Sequence, residues 1–325
     1  MNKKILVSGI QSSGKLHIGN YFGAIKQIVE LGNSSDYESY IFIADYHSMT
    51  TLTDAAQRLE NTFDAACTYL ACGLDPSKVT LFKQSDVPSH TELSWILNTV
   101  TPMPMLMLAH AFKDSQAKNS EINAGVFTYP VLMAADILMY NAQVVPVGRD
   151  QEQHVEIARE LAGKFNRAYG VDLFTMPQAY IKKEVATVPG VDGTKMSKSK
   201  NNYIPLFGTD EEIKKQVMSV VTDSARPEDK KNPDEQAIYQ IHKLFLNEEE
   251  DKELRARFEN GGYGYKEAKE KCAEAIIAYV SPMREKYEYY QSHRDEVYSI
   301  LDAGKNAATI KSDEMMKRVK GCVGL

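Results

Sequence analysis

Hydrophobic positions change their rhythm along this chain, and the rhythm predicts its elements. Lys4–Ile10 is apolar and β-branched, and Tyr40–Ala44 (Tyr-Ile-Phe-Ile-Ala) is a continuous apolar run of the buried-strand type. Val79–Lys83 and Val144–Gly148 are further strand candidates. Between them the period becomes helical. Thr53–Cys72 repeats apolar residues at helical spacing and stops at Gly73, a residue suited to close a helix. Asp150–Phe165 is helical directly after the fourth strand candidate. Strands interleaved with helices predict a parallel sheet covered on both faces, with ligands at the carboxyl ends of its strands.

Beyond residue 205 the strand pattern stops. Thr209-Asp210-Glu211-Glu212 reads as a capping box, and Asn247-Glu248-Glu249-Glu250 as a second capped, acidic first turn. Lys266–Tyr290 and Asp295–Arg318 are also helical in pattern. The expected boundary lies near residue 200, between an α/β part and an all-helical part.

Bulk properties narrow the function classes. A length of 325 residues fits one large domain or two ordinary ones. No run of about 18 apolar residues occurs, so no membrane span is expected. Met1–Ser8 is basic and then briefly apolar, too short for a secretory signal, and is read as the first strand. Cys67, Cys72, Cys272 and Cys322 lack the tight pairing of a zinc site, so buried thiols in a reducing cytoplasm are expected, with no metal ligands. The net charge is −6, so a nucleic-acid partner has to be argued from motifs.

One stretch after the first strand carries two nucleotide signatures: Gly9-Ile10-Gln11-Ser12-Ser13-Gly14-Lys15-Leu16-His17-Ile18-Gly19-Asn20. Its first half spells the start of a P-loop. That motif needs a hydroxyl after the lysine to hold magnesium, and this chain has Leu16 there. Its second half, His17-Ile18-Gly19-Asn20, supplies two donor side chains and a glycine next to a helix start, which suits phosphate. A second cluster, Lys195-Met196-Ser197-Lys198-Ser199, follows the Gly-rich Pro189-Gly190-Val191-Asp192-Gly193-Thr194. Two lysines and two hydroxyls on such a loop form a cationic clamp for a leaving pyrophosphate, with Gly190 and Gly193 as hinges.

The two signatures in this order resemble those of the class I aminoacyl-tRNA synthetases, with Asn20 where the family often has His. The resemblance covers essentially the whole chain. It implies a Rossmann-type doubly wound parallel sheet over residues 1–200, carrying the nucleotide and amino-acid sites, and an all-helical anticodon-binding domain over 201–325. Within the family, Thr128-Tyr129-Pro130-Val131-Leu132-Met133-Ala134-Ala135-Asp136-Ile137-Leu138 is similar to the bacterial-type tryptophan enzymes. Tyrosine enzymes, the alternative, look like Tyr-x-x-x-Gln-x-x-Asp at this point, and this chain has Met133 in place of the Gln.

Tyr129, Met133 and Asp136 share one helix face. Asp136 sits among apolar residues and needs a partner, either a neighbouring protein donor or the N–H of an indole. The resemblance implies the second: Asp136 takes the indole nitrogen, Met133 packs on the ring, Tyr129 and Gln151 orient the amino-acid end, and His47 lines the pocket. It further implies an ATP site of Gln11, Ser12, Ser13, Gly19, Asn20, Gly148, Arg149, Asp150 and Val188, closed by Lys195, Met196, Ser197, Lys198 and Ser199. His17, Lys195 and Lys198 are the expected catalytic groups.

Two positions depart from the family pattern. Arg149 stands where many relatives have Glu, and the second lysine of a Gln-Phe-Lys-x-Lys motif is missing, so that either Lys113 or Lys118 replaces it or the contact is absent. The implied reaction joins L-tryptophan to tRNA(Trp) through tryptophanyl-adenylate, using ATP with Mg2+ and releasing AMP and pyrophosphate. A cytoplasmic homodimer is expected, with no DNA partner. A dinucleotide-forming nucleotidyltransferase has no use for the helical part, and a non-catalytic tryptophan or RNA sensor has none for the Lys195–Ser199 clamp.

Overall fold

A computed structural model describes residues 3–10, 14, 16–109, 112–113, 123–181 and 188–325. Gln11, Ser12, Ser13 and Lys118, singled out above, lie outside the described residues. By contacts the chain forms two units. The first comprises Met1–Gly14, Gln27–Lys183 and His293–Leu325, and the second Lys15–Lys26 and Glu184–Ser292.

The first unit is built on five parallel strands, β1 (Lys4–Ile10), β2 (Tyr37–Ile43), β3 (Val79–Lys83), β4 (Val144–Pro146) and β5 (Gln178–Tyr180), in the order β3-β2-β1-β4-β5. This is the doubly wound, Rossmann-type arrangement. Register runs from Lys4 opposite Tyr37 to Ile10 opposite Ile43, and from Ser39 opposite Val79 to Ile43 opposite Lys83. Leu6 and Val7 are buried on opposite faces of the central strand, as a sheet covered on both sides requires. The order reverses between β1 and β4, and ligands in such sheets sit outside the strands' carboxyl ends at that point. β5 was not expected. It has three residues with a largely exposed pattern, so no hydrophobic periodicity marks it.

Helices follow the strands. After α1 (Ile18–Asn20) and α2 (Lys26–Gly32) come α3 (Asp45–Ser48) and α4 (Ala55–Ala71). The side chain of Asp54 caps α4 by accepting from Gln57 N. At its other end Gly73, at φ +98°, lets Leu74 N donate to Tyr69 O and Gly73 N to Leu70 O. Those two bonds close a helix in the way a glycine terminator allows. Then come α5 (Ser89–Asn98), α6 (Met103–Met107), α7 (Ala124–Leu138) and α8 (Glu152–Tyr169). α7 is capped by Asn123, whose side chain accepts from Val126 N, and it buries Val131, Ala134, Ala135, Ile137 and Leu138 against the core.

The second unit contains α1 and, later in the chain, α9 (Asp210–Met218), α10 (Ala237–His242), α11 (Glu248–Asn260) and α12 (Tyr265–Ser292). The expected capping box of Thr209 with Glu212 forms, and the capped first turn expected at Asn247 is also a capping box, with Glu250. The buried Lys231 organises a loop here, its Nζ donating to the carbonyls of Arg226, Pro227 and Asp229.

A single boundary near residue 200 does not describe these contacts. Residues 16–18 pair with 204–206: Ile18 N donates to Ile204 O, Leu206 N donates to Leu16 O, and His17 bridges Pro205. At the other end, α13 (Arg294–Val323) packs on β3 within the first unit. Gly304 permits that approach, because a Cβ there would lie 1.8 Å from the carbonyl oxygen of Leu81. Gly304→Ala is therefore expected to destabilise the fold by about 2 kcal/mol, as overpacking against fixed backbone does. Urea unfolding reads this as a lower midpoint, and an unchanged midpoint contradicts the close packing.

Candidate active site

Three loops leave the carboxyl ends of β2, β3 and β4 and meet α7 in the first unit. Asp136 on α7 is 1% exposed. Its Oδ2 lies 2.8 Å from His47 Nε2, just after β2. Its Oδ1 lies 2.7 Å from Gln84 Nε2, at the end of β3, and 2.7 Å from His90 Nδ1 on α5. A carboxylate only accepts, so each of these nitrogens donates. Burial works to raise the Asp136 pKa, but the hydrogen bonds from His47 and His90 more than offset it and hold the group down, at about 2. The site thus keeps a full negative charge inside the protein, held by donors as a buried charge must be.

Behind this group, His90 Nε2 meets the Tyr140 hydroxyl at 2.9 Å, and Tyr140 stacks on Tyr40 with ring centroids 4.6 Å apart. Among the described residues Oδ1 accepts two bonds and Oδ2 one, out of a carboxylate's roughly four acceptor positions. Of the two partners considered for Asp136, protein donors are present: three of them reach it among the described residues.

Sequence reasoning had not singled out Gln84 and His90. A signal existed for Gln84, since it follows directly on a strand's carboxyl end. His90 is brought in by the packing of α5 on α7, which no local pattern reports. Met133, on the same face as Asp136, is half-buried against the core. Tyr129 lies edge-on to His47, ring centroids 6.0 Å apart, and its hydroxyl is 2.9 Å from His154 Nε2. His154 Nδ1 in turn meets Gln151 Oε1 at 2.9 Å. The five residues expected at the amino-acid end therefore lie on one structural unit, and His154 links two of them.

Gly148 precedes a 3-10 turn, Arg149–Gln151, that leads into α8, and the Arg149 side chain is exposed. Lys113 is exposed as well.

The second unit holds the phosphate-type groups. His17 is the N-cap of α1: Asn20 N donates to His17 Nδ1 at 3.2 Å, and His17 N donates to Asn20 Oδ1 at 3.0 Å. Asn20, the departure from the family's usual His, thus closes a capping box. Because Nδ1 accepts, the ring proton sits on Nε2. Burial, and then the positive charge of Lys198, lower the His17 pKa to about 4. At neutral pH the ring is an uncharged donor through Nε2.

Met196 is 4% exposed and anchors the Lys195–Ser199 stretch. Its sulfur would lie 3.3 Å from a Cβ at Gly19, and His17 Nδ1 2.9 Å from it, so only glycine fits between them. Asn202, 2% exposed, ties the loop together. Its amide nitrogen donates to Asp192 Oδ1 (2.7 Å), Thr194 Oγ1 (3.2 Å) and Lys195 O (3.1 Å), and its oxygen accepts from Ser197 N (2.7 Å). Gly193 adopts φ +78°, and a Cβ on Gly190 would lie 2.4 Å from the Asn202 amide. The loop read as a hinge is thus pinned from one side. Val188 is buried beneath it, its carbonyl accepting from Met196 N. Lys195 is exposed, and the Ser197 and Ser199 hydroxyls lie 2.8 Å apart.

A doubly wound sheet with a buried carboxylate at its ligand edge, together with a His-x-Gly-Asn turn locked onto a Lys-Met-Ser-Lys-Ser loop, defines a nucleotide-dependent enzyme class. The model of the family described as tRNA synthetases class I (W and Y) matches residues 1–281, and the chain belongs to that family. It is 50% identical over 319 residues to the tryptophan–tRNA ligase of Fusobacterium nucleatum, spanning 98% of this chain and 97% of that protein. With the tryptophan–tRNA ligase of Rhodopirellula baltica the identity is 47% over 320 residues, 98% of this chain and 99% of that one. The crystal structure of tryptophanyl-tRNA synthetase from Campylobacter jejuni, complexed with ADP and tryptophan, matches at a TM-score of 0.92 and 45% identity, covering 99% of this chain and 100% of that one.

Burial also lowers the pKa of His242 to about 4. In the folded protein both His17 and His242 stay neutral below the ordinary 6.5, while the unfolded chain takes up protons. The unfolded state binds more protons between these values, so stability rises from about pH 4 to about pH 6.5. Urea midpoints across this range are expected to climb, and His17→Asn, which keeps a capping side chain, to flatten the climb. An unchanged slope in that variant contradicts the neutral, buried His17.

Proposed function

We propose that this chain ligates L-tryptophan to tRNA(Trp) in two steps. The tryptophan carboxylate attacks the α-phosphorus of ATP, giving tryptophanyl-adenylate and pyrophosphate. A hydroxyl of the tRNA's terminal ribose then attacks the acyl carbonyl and releases AMP. Neither step needs a protein nucleophile, so catalysis rests on positioning and charge stabilisation. The observation that carries this reading is the buried, charged Asp136 carboxylate, with one bond on Oδ2 among the described residues, in a chain half identical to a tryptophan–tRNA ligase. An indole offers one N–H and no acceptor. A tyrosine substrate is disfavoured by Met133 and by the names of these relatives.

In this reading Asp136 takes the indole nitrogen, Met133 and His47 flank the ring, and Tyr129 and Gln151 hold the α-ammonium end. His17 donates from Nε2 to ATP phosphate, while Lys195 and Lys198 neutralise charge on the departing pyrophosphate. Gln11, Ser12, Ser13, Gly19, Asn20, Gly148, Arg149, Asp150, Val188, Met196, Ser197 and Ser199 complete the ATP contacts. Magnesium arrives on the phosphates as part of the substrate. The helices beyond residue 200 bind the anticodon region of the tRNA. Buried free thiols at Cys67, Cys72 and Cys272 support a reducing, cytoplasmic setting. Trp95, Met103, Met107 and Leu108 stand exposed on and next to α5 and α6, an apolar surface that supports a homodimer. Among the described residues no helix is long and apolar enough to cross a membrane.

Charging of tRNA(Trp) with labelled tryptophan tests the reaction, and two sets of variants test the roles. Lys195→Ala and Lys198→Ala are expected to slow adenylate formation by roughly a hundredfold or more while tryptophan affinity stays near normal. Asp136→Ala is expected to raise the tryptophan KM by at least roughly tenfold. Equal loss of rate and tryptophan affinity in the lysine variants contradicts the clamp. An unchanged KM in Asp136→Ala contradicts the indole contact.

A further inference from the structure

We propose that His154 is a positioning residue that fixes the polarity of Tyr129, so that the pocket reads a primary ammonium group on its ligand. The proposal deepens the preceding section and rests on its placement of the amino-acid end at Tyr129 and Gln151.

His154 is 4% exposed and sits on α8, between two residues that come from different elements. Its Nδ1 faces Gln151 Oε1 at 2.9 Å, and its Nε2 faces the Tyr129 hydroxyl at 2.9 Å. An amide oxygen can only accept, so Nδ1 carries the proton and donates it. A neutral imidazole then has a lone pair at Nε2. Tyr129 therefore donates its single hydroxyl proton to His154, and its oxygen presents lone pairs on the other side. The tyrosine becomes an acceptor toward a ligand. An acceptor there favours an ammonium group and disfavours a carboxylate.

The same side chains tie this end to the carboxylate corner. Tyr129 lies edge-on to His47, which donates to Asp136 Oδ2. Tyr129 and Asp136 are both on α7, seven residues apart and so on one face. A ligand spanning them needs an N–H donor at one end and an ammonium at the other. Tryptophan has both. An imidazole serves as the relay because it can donate from one edge and accept on the other in a single rigid ring.

The test uses the full-length protein and three ligands by calorimetry: tryptophan, tryptamine, which lacks the carboxylate, and indole-3-propionate, which lacks the ammonium. His154→Phe removes the acceptor for the tyrosine proton. It is expected to weaken tryptophan and tryptamine by roughly tenfold or more and to leave indole-3-propionate unchanged. Equal loss of all three from a variant with a normal thermal midpoint overturns the proposal, as does no loss of any. His154→Gln restores an acceptor oxygen near the Nε2 position and keeps the test open if the phenylalanine variant does not fold. Its ratio of tryptophan to indole-3-propionate affinity is expected to stay within roughly threefold of the parent's, and collapse of that ratio overturns the relay. Tyr129→Phe separates the two levels. If it spares ammonium ligands, the placement of the amino-acid end is wrong; if it weakens them and His154→Phe does not, only the relay is wrong.

Discussion

A single buried negative charge organises the ligand edge of the sheet. Asp136 lies within an apolar helix, and burial alone would drive its carboxyl to the neutral form. Donors from the ends of β2 and β3 and from α5 prevent that. Each donor is itself placed by an element of the sheet unit. The charge therefore depends on the register of three segments, and they in turn are drawn together around it. Removing one donor would leave a buried charge partly uncompensated, which costs more than the lost bond. In the proposed reading, a carboxylate held in this way is suited to selective recognition of one N–H.

The second unit solves a different problem. Phosphate chemistry calls for donors and positive charge held at a set position rather than a charge kept dry. Here a neutral imidazole is aimed by a capping box, and the lysine-bearing loop is fastened by Asn202 and by Met196 against Gly19. Lys195 remains exposed at the end of this fastening. In the proposed reading this fastening lets the loop present its lysine with less entropy lost on binding.

Elements with strong periodicity or explicit stop signals were legible in the chain. β1 and β3 coincide with their expected spans, and α4 runs within the expected Thr53–Cys72 and ends before Gly73. The capping boxes at Thr209 and Asn247 formed because both partners lie within one turn of each other. Short or non-local features were not legible. β5 has too few residues for a period, and the return of α13 to β3 depends on one small residue, Gly304, meeting a backbone over two hundred positions away. The same limit applied at the site. Asp136 stood out as a carboxylate among apolar residues and His47 entered through the family resemblance, whereas Gln84 and His90 acquire their roles only when distant segments meet, and Asn202 only when its own loop folds back on it.

What enters the Asp136 corner decides the function. Amino-acid-dependent exchange of pyrophosphate with ATP, run in parallel with tryptophan and tyrosine, reads both the reaction and the pocket at once. Exchange with tryptophan alone is the result predicted here. Exchange supported by tyrosine, or none with either from a folded protein, would contradict it.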